Sequence, residues 1–368
     1  MPDRHRPDAC PGALDVHQAA DGGLARVRVP GGTLTRAQLT ALHTAMALGD
    51  GTLELTSRAN TQIRGLAPGA EHELAAVVAQ AGLLPSTSHE RMRNLIASPL
   101  ADTQGIVDRI DAALLARPGL AGLPGRFLVT VDDGGDVSGL RADVGVHRVG
   151  PEWALLLAGQ DSGLRFTDPV TAVVGASEAF AALREEGGGT AWRLAEIEGG
   201  VAEITRRLDG GPAAAGPVSP LPPTPLPPGP LPDGRVVVGA PLGRLTSAQV
   251  EALLSLPWVR LTPWRSLVLP APVAVPGLVT DPGSPWHGAT ACTGKPGCAK
   301  SLADVRADAA RLLRAPGGPV HLSGCARRCG RPPAAVDVLA TATGYLVDDL
   351  PYDDPVLAIS AARRKKQR

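Results

Sequence analysis

Two stretches of the chain repeat one pattern of apolar and polar positions. Leu34–Leu42 (LTRAQLTAL) and Leu245–Leu253 (LTSAQVEAL) each place apolar residues at helical spacing, behind a Thr whose hydroxyl suits an N-cap. Each gives way to a run rich in Leu, Val and Thr, LELTSRANTQIRGL over 53–66 and VRLTPWRSLVLP over 259–270. These runs read as strands broken by a Thr-x-Arg or Thr-x-Trp turn. A further β-segment precedes each helix, Ala25–Val29 in one case and Arg235–Val238 in the other. The shared β-helix-β order, with identical Leu-Thr-x-Ala-Gln openings, predicts an internal duplication.

The pattern between the repeats is mixed α/β. Ile106–Leu115 has helical periodicity, 127–133 (FLVTVDD) and 153–159 (WALLLAG) read as strands, and Ala176–Glu185 and Ala195–Leu208 as helices. Residues 210–234 are so rich in proline that a semi-rigid polyproline II connector is expected. After the second repeat, Leu302, Val305, Ala309, Leu312 and Leu313 fall on one face of a predicted helix. Ala335–Leu339 and Tyr345–Val347 are strand-like, and the AARRKKQR tail reads as a solvated basic end. The expected plan is a half-domain over 1–85, an α/β domain over 86–209, the linker over 210–234, a second half-domain over 235–273 and a second α/β domain over 274–368.

Composition narrows the function. Lys+Arg and Asp+Glu are both 36 in 368 residues, so the chain lacks the basic footprint of a nucleic-acid binder. Aromatic residues are 3% of the chain, which leaves the cores to Ala, Leu and Val. No run approaches the ~18 apolar residues of a membrane helix, and the N-terminus has no apolar signal core. A cytoplasmic protein with reduced thiols is expected.

The five cysteines carry the chemistry. Cys10 stands alone and reads as a capped or buried thiol. Cys292 and Cys298 enclose TGKPG, and Cys325 and Cys329 enclose ARR inside HLSGCARRCGRPP. Two pairs in glycine-bearing loops suit a shared metal centre. Neither pair has the two-residue gap usual in structural zinc sites, whereas a four-cysteine iron–sulfur cluster tolerates wider gaps. The helix that follows the first pair offers a dipole favourable to thiolate, and Arg327 and Arg328 offer positive charge.

Cys-x5-Cys followed by Ser-Gly-Cys-x3-Cys-Gly-Arg-Pro resembles the signature of the sulfite and nitrite reductases that use sirohaem beside a [4Fe-4S] cluster. Leu55-Thr56-Ser57-Arg58-Ala59-Asn60-Thr61-Gln62 is similar to that family's first tetrapyrrole-facing strand, and Arg91-Met92-Arg93-Asn94-Leu95-Ile96-Ala97-Ser98-Pro99 to its second motif. The resemblance implies an α+β fold: a duplicated architecture of two ferredoxin-like half-domains plus two larger mixed α/β domains. It implies a [4Fe-4S] cluster on Cys292, Cys298, Cys325 and Cys329, with the last cysteine bridging to a haem iron.

Two departures separate the chain from a plain reductase. It is short for that group, and the family's LPRKFK-type segment reads here Leu123-Pro124-Gly125-Arg126-Phe127-Leu128, so that one anion-holding lysine is replaced by leucine. Together with the Cys10-Pro11-Gly12 opening, this resembles the precorrin-3B synthase branch of the family, in cobalamin biosynthesis. That branch implies a monooxygenase acting on precorrin-3A with dioxygen, with hydroxylation of a meso carbon and closure of a ring-A lactone. Arg58, Arg93 and Arg126 are the expected contacts to carboxylates or oxygen. The second iron is open between sirohaem and a mononuclear non-haem site, and the alternative activity is sirohaem-dependent sulfite or nitrite reduction. No Gly-x-Gly-x-x-Gly follows a predicted strand, so electrons are expected from an external ferredoxin or NAD(P)H reductase. Internal duplication favours a monomer.

Overall fold

The computed structural model describes residues 8–212, 218–223 and 225–366. In it, the repeated Leu-Thr opening is both the end of a short strand and the start of a helix. Thr33–Thr35 is extended. The Thr35 hydroxyl then accepts from Gln38 N (3.3 Å), while the Gln38 side chain accepts from Thr35 N (3.0 Å), closing a capping box on the helix Arg36–Met46. The strand Arg244–Thr246 and the helix Ser247–Leu253 repeat the device with Thr246 and Gln249. Replacing Thr246 by Ala is expected to cost about 1 kcal/mol. It should appear as a lower urea midpoint at unchanged slope.

The short strands explain why the halves do not separate. One antiparallel sheet runs His17–Ala19, Gly22–Val27, Thr61–Leu66, Thr52–Leu55, and is completed by Arg244–Thr246 from the other repeat. The other runs Gly229–Pro230, Val236–Gly239, Ser266–Leu269, Trp258–Leu261, and is completed by Thr33–Thr35. Leu34 lies opposite Val259 and Leu245 opposite Leu53, and all four join one apolar core. The helix begins at Arg36, directly after the Thr35 read as its N-cap, while Leu34 belongs to the strand before it. A residue before an N-cap is extended, and its strand partner comes from the far half of the chain.

The turn after each repeat is also duplicated. Thr56 N donates to Asn60 O and Thr262 N to Ser266 O, at 2.9 and 3.0 Å. Ala59 and Arg265 occupy the same left-handed position, with φ of 52° and 58°. Arg58 and Trp264 thus correspond.

The two larger domains share one order. Leu95–Ala97, Val129–Asp132 and Val144–Val149 are parallel and are followed by the antiparallel Glu152–Leu157 and Gln160–Phe166. The helices Gln104–Leu115 and Pro169–Glu186 contribute to a core that holds Trp153 and the stacked rings of Phe127 and Phe180. Ala289–Ala291, Val320–Ser323 and Val336–Ala340 are likewise parallel, followed by the antiparallel Tyr345–Val347 and Leu350–Pro351. The helices Val305–Leu312 and Pro355–Lys366 belong to this unit. The chain therefore has the expected α+β architecture of duplicated half-domains and larger mixed domains. Among the described residues no helix is long and apolar enough to cross a membrane.

Some local expectations are corrected. The helix expected at 195–208 is confined to Gly200–Arg207, behind a single 3-10 turn at Leu194–Glu196. Leu302 lies outside the helix that starts at Val305 and is exposed. The basic tail is not wholly solvated. Arg363 is 1% exposed and donates to the carbonyls of Gly318, Pro285, Ala315, His287 and Gly317, because buried loop carbonyls need donors and its guanidinium supplies them. The last two residues of the tail, and 213–217 and 224 of the linker, lie outside the described residues. The rest of the linker is docked rather than free: Val218 N donates to Asp161 Oδ2 (2.7 Å), and the Leu221 carbonyl passes against Gly139.

Candidate functional site

The strand Gly22–Val27 sends Ala25 and Val27 into the core, and the alternation continues through Arg26 and Arg28 on the opposite side. Arg28 is 3% exposed. Its Nε and Nη2 donate to the Arg91 carbonyl and its Nη2 also to the Pro11 carbonyl, while Nη1 has no partner among the described residues. Arg26 donates to Gln62 Oε1 (3.2 Å), and its buried Nε is likewise unused. Arg58 reaches across to the carbonyls of Gly125 (2.9 Å) and Arg126 (3.1 Å). The Arg126 guanidinium lies over the Trp192 ring, 4.7 Å from its centroid, and its Nε is 4.0 Å from Asp8 Oδ1. A Cβ on Gly125 would stand 2.7 Å from the Cβ of Cys10 and 3.4 Å from Asp8 Oδ2, which places the N-terminal segment against the same turn.

The result is a cluster with more guanidinium than carboxylate, called here the arginine cleft. Burial, and then its neighbour Arg26, push Arg28 down to about 9; burial and Arg193 push Arg58 down to about 10. Both stay charged at neutral pH, and an anion placed among them would relieve both penalties. Arg26 and Arg28 were missed from the sequence. The available signal was Ala-Arg-Val-Arg-Val, cations at alternate positions of an otherwise apolar strand.

Arg93 requires a correction. It is 3% exposed, paired bidentately with Asp111 at 2.9 and 2.6 Å, and its Nη1 donates to the Leu83 carbonyl. It faces the scaffold and not the cleft. Its motif serves through other atoms: the Arg91 carbonyl accepts from Arg28, and Asn94 Nδ2 donates to the carbonyls of Gly125 and Phe127. Asn60 ties the first motif to the second, donating to Asn94 Oδ1 and accepting from Val29 N. Leu128, at the position of the replaced lysine, is buried with Ile96, Val137 and Ala142, and Trp264 packs on this group.

The cysteine loops lie at the ends of the parallel strands of the second larger domain. Cys292 N donates to the Leu322 carbonyl (2.9 Å), Gly324 N donates to Cys292 Sγ (3.1 Å), and Leu302 N donates to the Gly324 carbonyl (2.7 Å). The first larger domain repeats the corner with oxygen in place of sulfur: Ser98 N donates to the Val131 carbonyl and Asp133 N to Ser98 Oγ, both at 3.0 Å. All five cysteines are free thiols, and Cys329 is exposed. Four thiols and an amide aimed at sulfur suit a soft metal in donor chemistry. The geometry does not close, since among the described residues no three or more His, Cys, Asp or Glu side chains converge on a metal position. The expected electrostatic help is also differently used. Asp304 caps the following helix, its Oδ1 accepting from Ala307 N, and Arg328 pairs with Asp337 and Asp349.

A partly buried chain of polar contacts joins the two regions. Arg26 donates to Gln62, Gln62 Nε2 to Glu54 Oε2 (2.5 Å), Arg306 pairs with Glu54 (2.6 Å), and Arg306 Nε donates to the Cys292 carbonyl (3.2 Å). Burial acts to raise the Glu54 carboxyl, but Arg306 and Gln62 hold it below its ordinary range. Beside this contact lies a separate cleft of about 590 Å³, lined by Asp21, Arg244, Trp286, Lys295 and Arg306 among others, which shares no residue with the arginine cleft.

Residues 17–81 match the family described as the nitrite/sulfite reductase ferredoxin-like half domain. The half-domain so defined contains Arg26, Arg28 and Arg58, so three of the cleft's cations stand on it. A precorrin-3B synthase of a Sinorhizobium species is 28% identical over 382 aligned positions, spanning 92% of this chain and 82% of that protein. The NirA protein of Mycobacterium tuberculosis shares the fold, with a TM-score of 0.66 at 22% identity over 84% of this chain and 69% of that one. The resemblance drawn from the cysteine and arginine motifs thus holds for the half-domain, for the fold and for a relative along most of the chain.

Proposed function

We propose that this chain is an oxidoreductase of the precorrin-3B synthase kind, oxidising precorrin-3A with dioxygen by meso-carbon hydroxylation and ring-A lactone formation. The observation that carries the reading is the arginine cleft: buried guanidinium nitrogens of Arg26 and Arg28 without acceptors among the described residues, beside Arg58 and Arg126. A tetrapyrrole rimmed with carboxylates supplies those acceptors, since guanidinium and carboxylate pair with directed, charge-assisted hydrogen bonds. In this role Arg58, held by two backbone carbonyls, orients one carboxylate, and Arg126 closes the outer rim. The balance is that of a monooxygenase: one oxygen atom enters the substrate and the other leaves as water, with two electrons and two protons from an external ferredoxin or NAD(P)H reductase. A [4Fe-4S] cluster on Cys292, Cys298, Cys325 and Cys329 would supply electrons singly, and the second iron is either sirohaem or mononuclear.

Sulfite or nitrite reduction is the alternative, and the apolar setting of Leu128 with Trp264 weighs against it. Reduction of a small oxyanion needs cations where charge develops. The deciding experiment is to incubate purified, anaerobically reconstituted protein with precorrin-3A, an electron donor and dioxygen. A product heavier by one oxygen atom, formed only with dioxygen, is the expected result. Sirohaem absorbance with sulfite or nitrite turnover and no conversion of precorrin-3A would overturn it.

A further inference from the structure

The N-terminal segment supplies the cleft with an anion of its own. Asp8 is its first described residue, and its carboxylate lies beside Arg126 and acts electrostatically on Arg26. Oδ1 is 4.0 Å from Arg126 Nε and accepts from Cys10 N, whereas Oδ2 is buried and accepts nothing from the described residues. A carboxylate oxygen without a donor thus shares a cleft with two guanidinium nitrogens without acceptors, Arg26 Nε and Arg28 Nη1. Charges match and hydrogen bonds do not, so Asp8 neutralises the site without satisfying it. The other nearby groups are engaged or neutral. Glu90 accepts from the N–H groups of Ala13 (2.9 Å) and Leu14 (3.4 Å), and burial and Asp8 push the Cys10 thiol up, which keeps it protonated.

The segment is also held unevenly. From Pro11 onward it is fastened, by Arg28 on the Pro11 carbonyl, by Arg26 N on the Gly12 carbonyl and by Glu90 on Ala13. Before Pro11, among the described residues, the segment lies against Gly125 and Arg126 and is hydrogen-bonded to the body by one 3.3 Å bond from Arg91 to the Asp8 carbonyl. We propose that Asp8 is a built-in occupant of the anion site formed by Arg26, Arg28, Arg58 and Arg126, and that a carboxylate of an acidic ligand binds there by displacing residues 8–10. The inference rests on the reading of that cleft as a site for a polycarboxylate, and it adds that the site is self-filled and that Asp8 sets its apparent affinity.

The probe is uroporphyrin, an octacarboxylate tetrapyrrole, titrated by fluorescence into the full chain, Asp8→Asn and Arg126→Gln at fixed ionic strength. Asp8→Asn is expected to bind it about fivefold more tightly than wild type and Arg126→Gln more weakly. Alkylation of Cys10 by iodoacetamide, followed at its own peptide by mass spectrometry, is expected to speed up when uroporphyrin is added to wild type. Equal affinity in Asp8→Asn and wild type, with Arg126→Gln weakened, would overturn the displacement and leave the arginine cleft standing. Unchanged Cys10 alkylation under saturating probe would overturn it as well. Failure of uroporphyrin to bind either wild type or Asp8→Asn would overturn both the displacement and the cleft.

Discussion

Replacing Arg93 by Ala is expected to destabilise the protein by about 3–5 kcal/mol, the range for removing one partner of a buried ion pair. The reason is what it leaves behind. Asp111 would be left with both oxygens stripped of their 2.9 and 2.6 Å donors, and the Leu83 carbonyl would lose its donor too. Urea unfolding measures the change, and the double replacement Arg93→Leu with Asp111→Leu should recover much of it, because no charge is then stranded. Arg126→Ala gives the contrast. Its side chain is 53% exposed, so stability should move by no more than about 0.5 kcal/mol while binding of an anionic ligand falls. An Arg93→Ala protein of unaltered stability would show that the pair is not the anchor described here.

The second large effect concerns sulfur. Cys292→Ser is expected to abolish most of the iron and sulfide bound on reconstitution, together with the visible absorbance, if the four cysteines hold a cluster. The usual objection, that such a variant unfolds, is answered within the molecule. Ser98 already occupies the corresponding corner of the first larger domain, with Asp133 N on its Oγ as Gly324 N is on Cys292 Sγ. The backbone therefore accommodates oxygen there, and iron lost at an unchanged melting temperature reports ligation. Full iron and sulfide in Cys292→Ser would refute that ligand.

What was legible in the sequence follows from how local each signal is. The duplication could be read because Leu-Thr-x-Ala-Gln encodes a capping box within four residues of itself, and that box is present twice. The exchange of Thr33–Thr35 and Arg244–Thr246 between the sheets could not, since the partner strands lie about two hundred residues away. Arg58 could be placed because its turn is fixed by neighbours, from Thr56 to Asn60. Arg93 could not: one position away from Asn94, it looks the same in sequence whether it meets a ligand or Asp111. The cysteine spacing foretold two adjacent loops, which the parallel pairing of Ala289–Ala291 with Val320–Ser323 brings together. Where the four sulfurs come to rest depends on side-chain placement that spacing leaves undetermined.

The exchanged strands have a consequence for how this chain came to carry unlike residues at matching positions of its two halves. In a pair of identical subunits every substitution arrives twice, once on each side of the axis. Here the two sides are one polypeptide, and each substitution arrives once. Arginine could settle at one turn and tryptophan at its counterpart, serine at one strand end and cysteine at the other, without either change being copied where it would do harm.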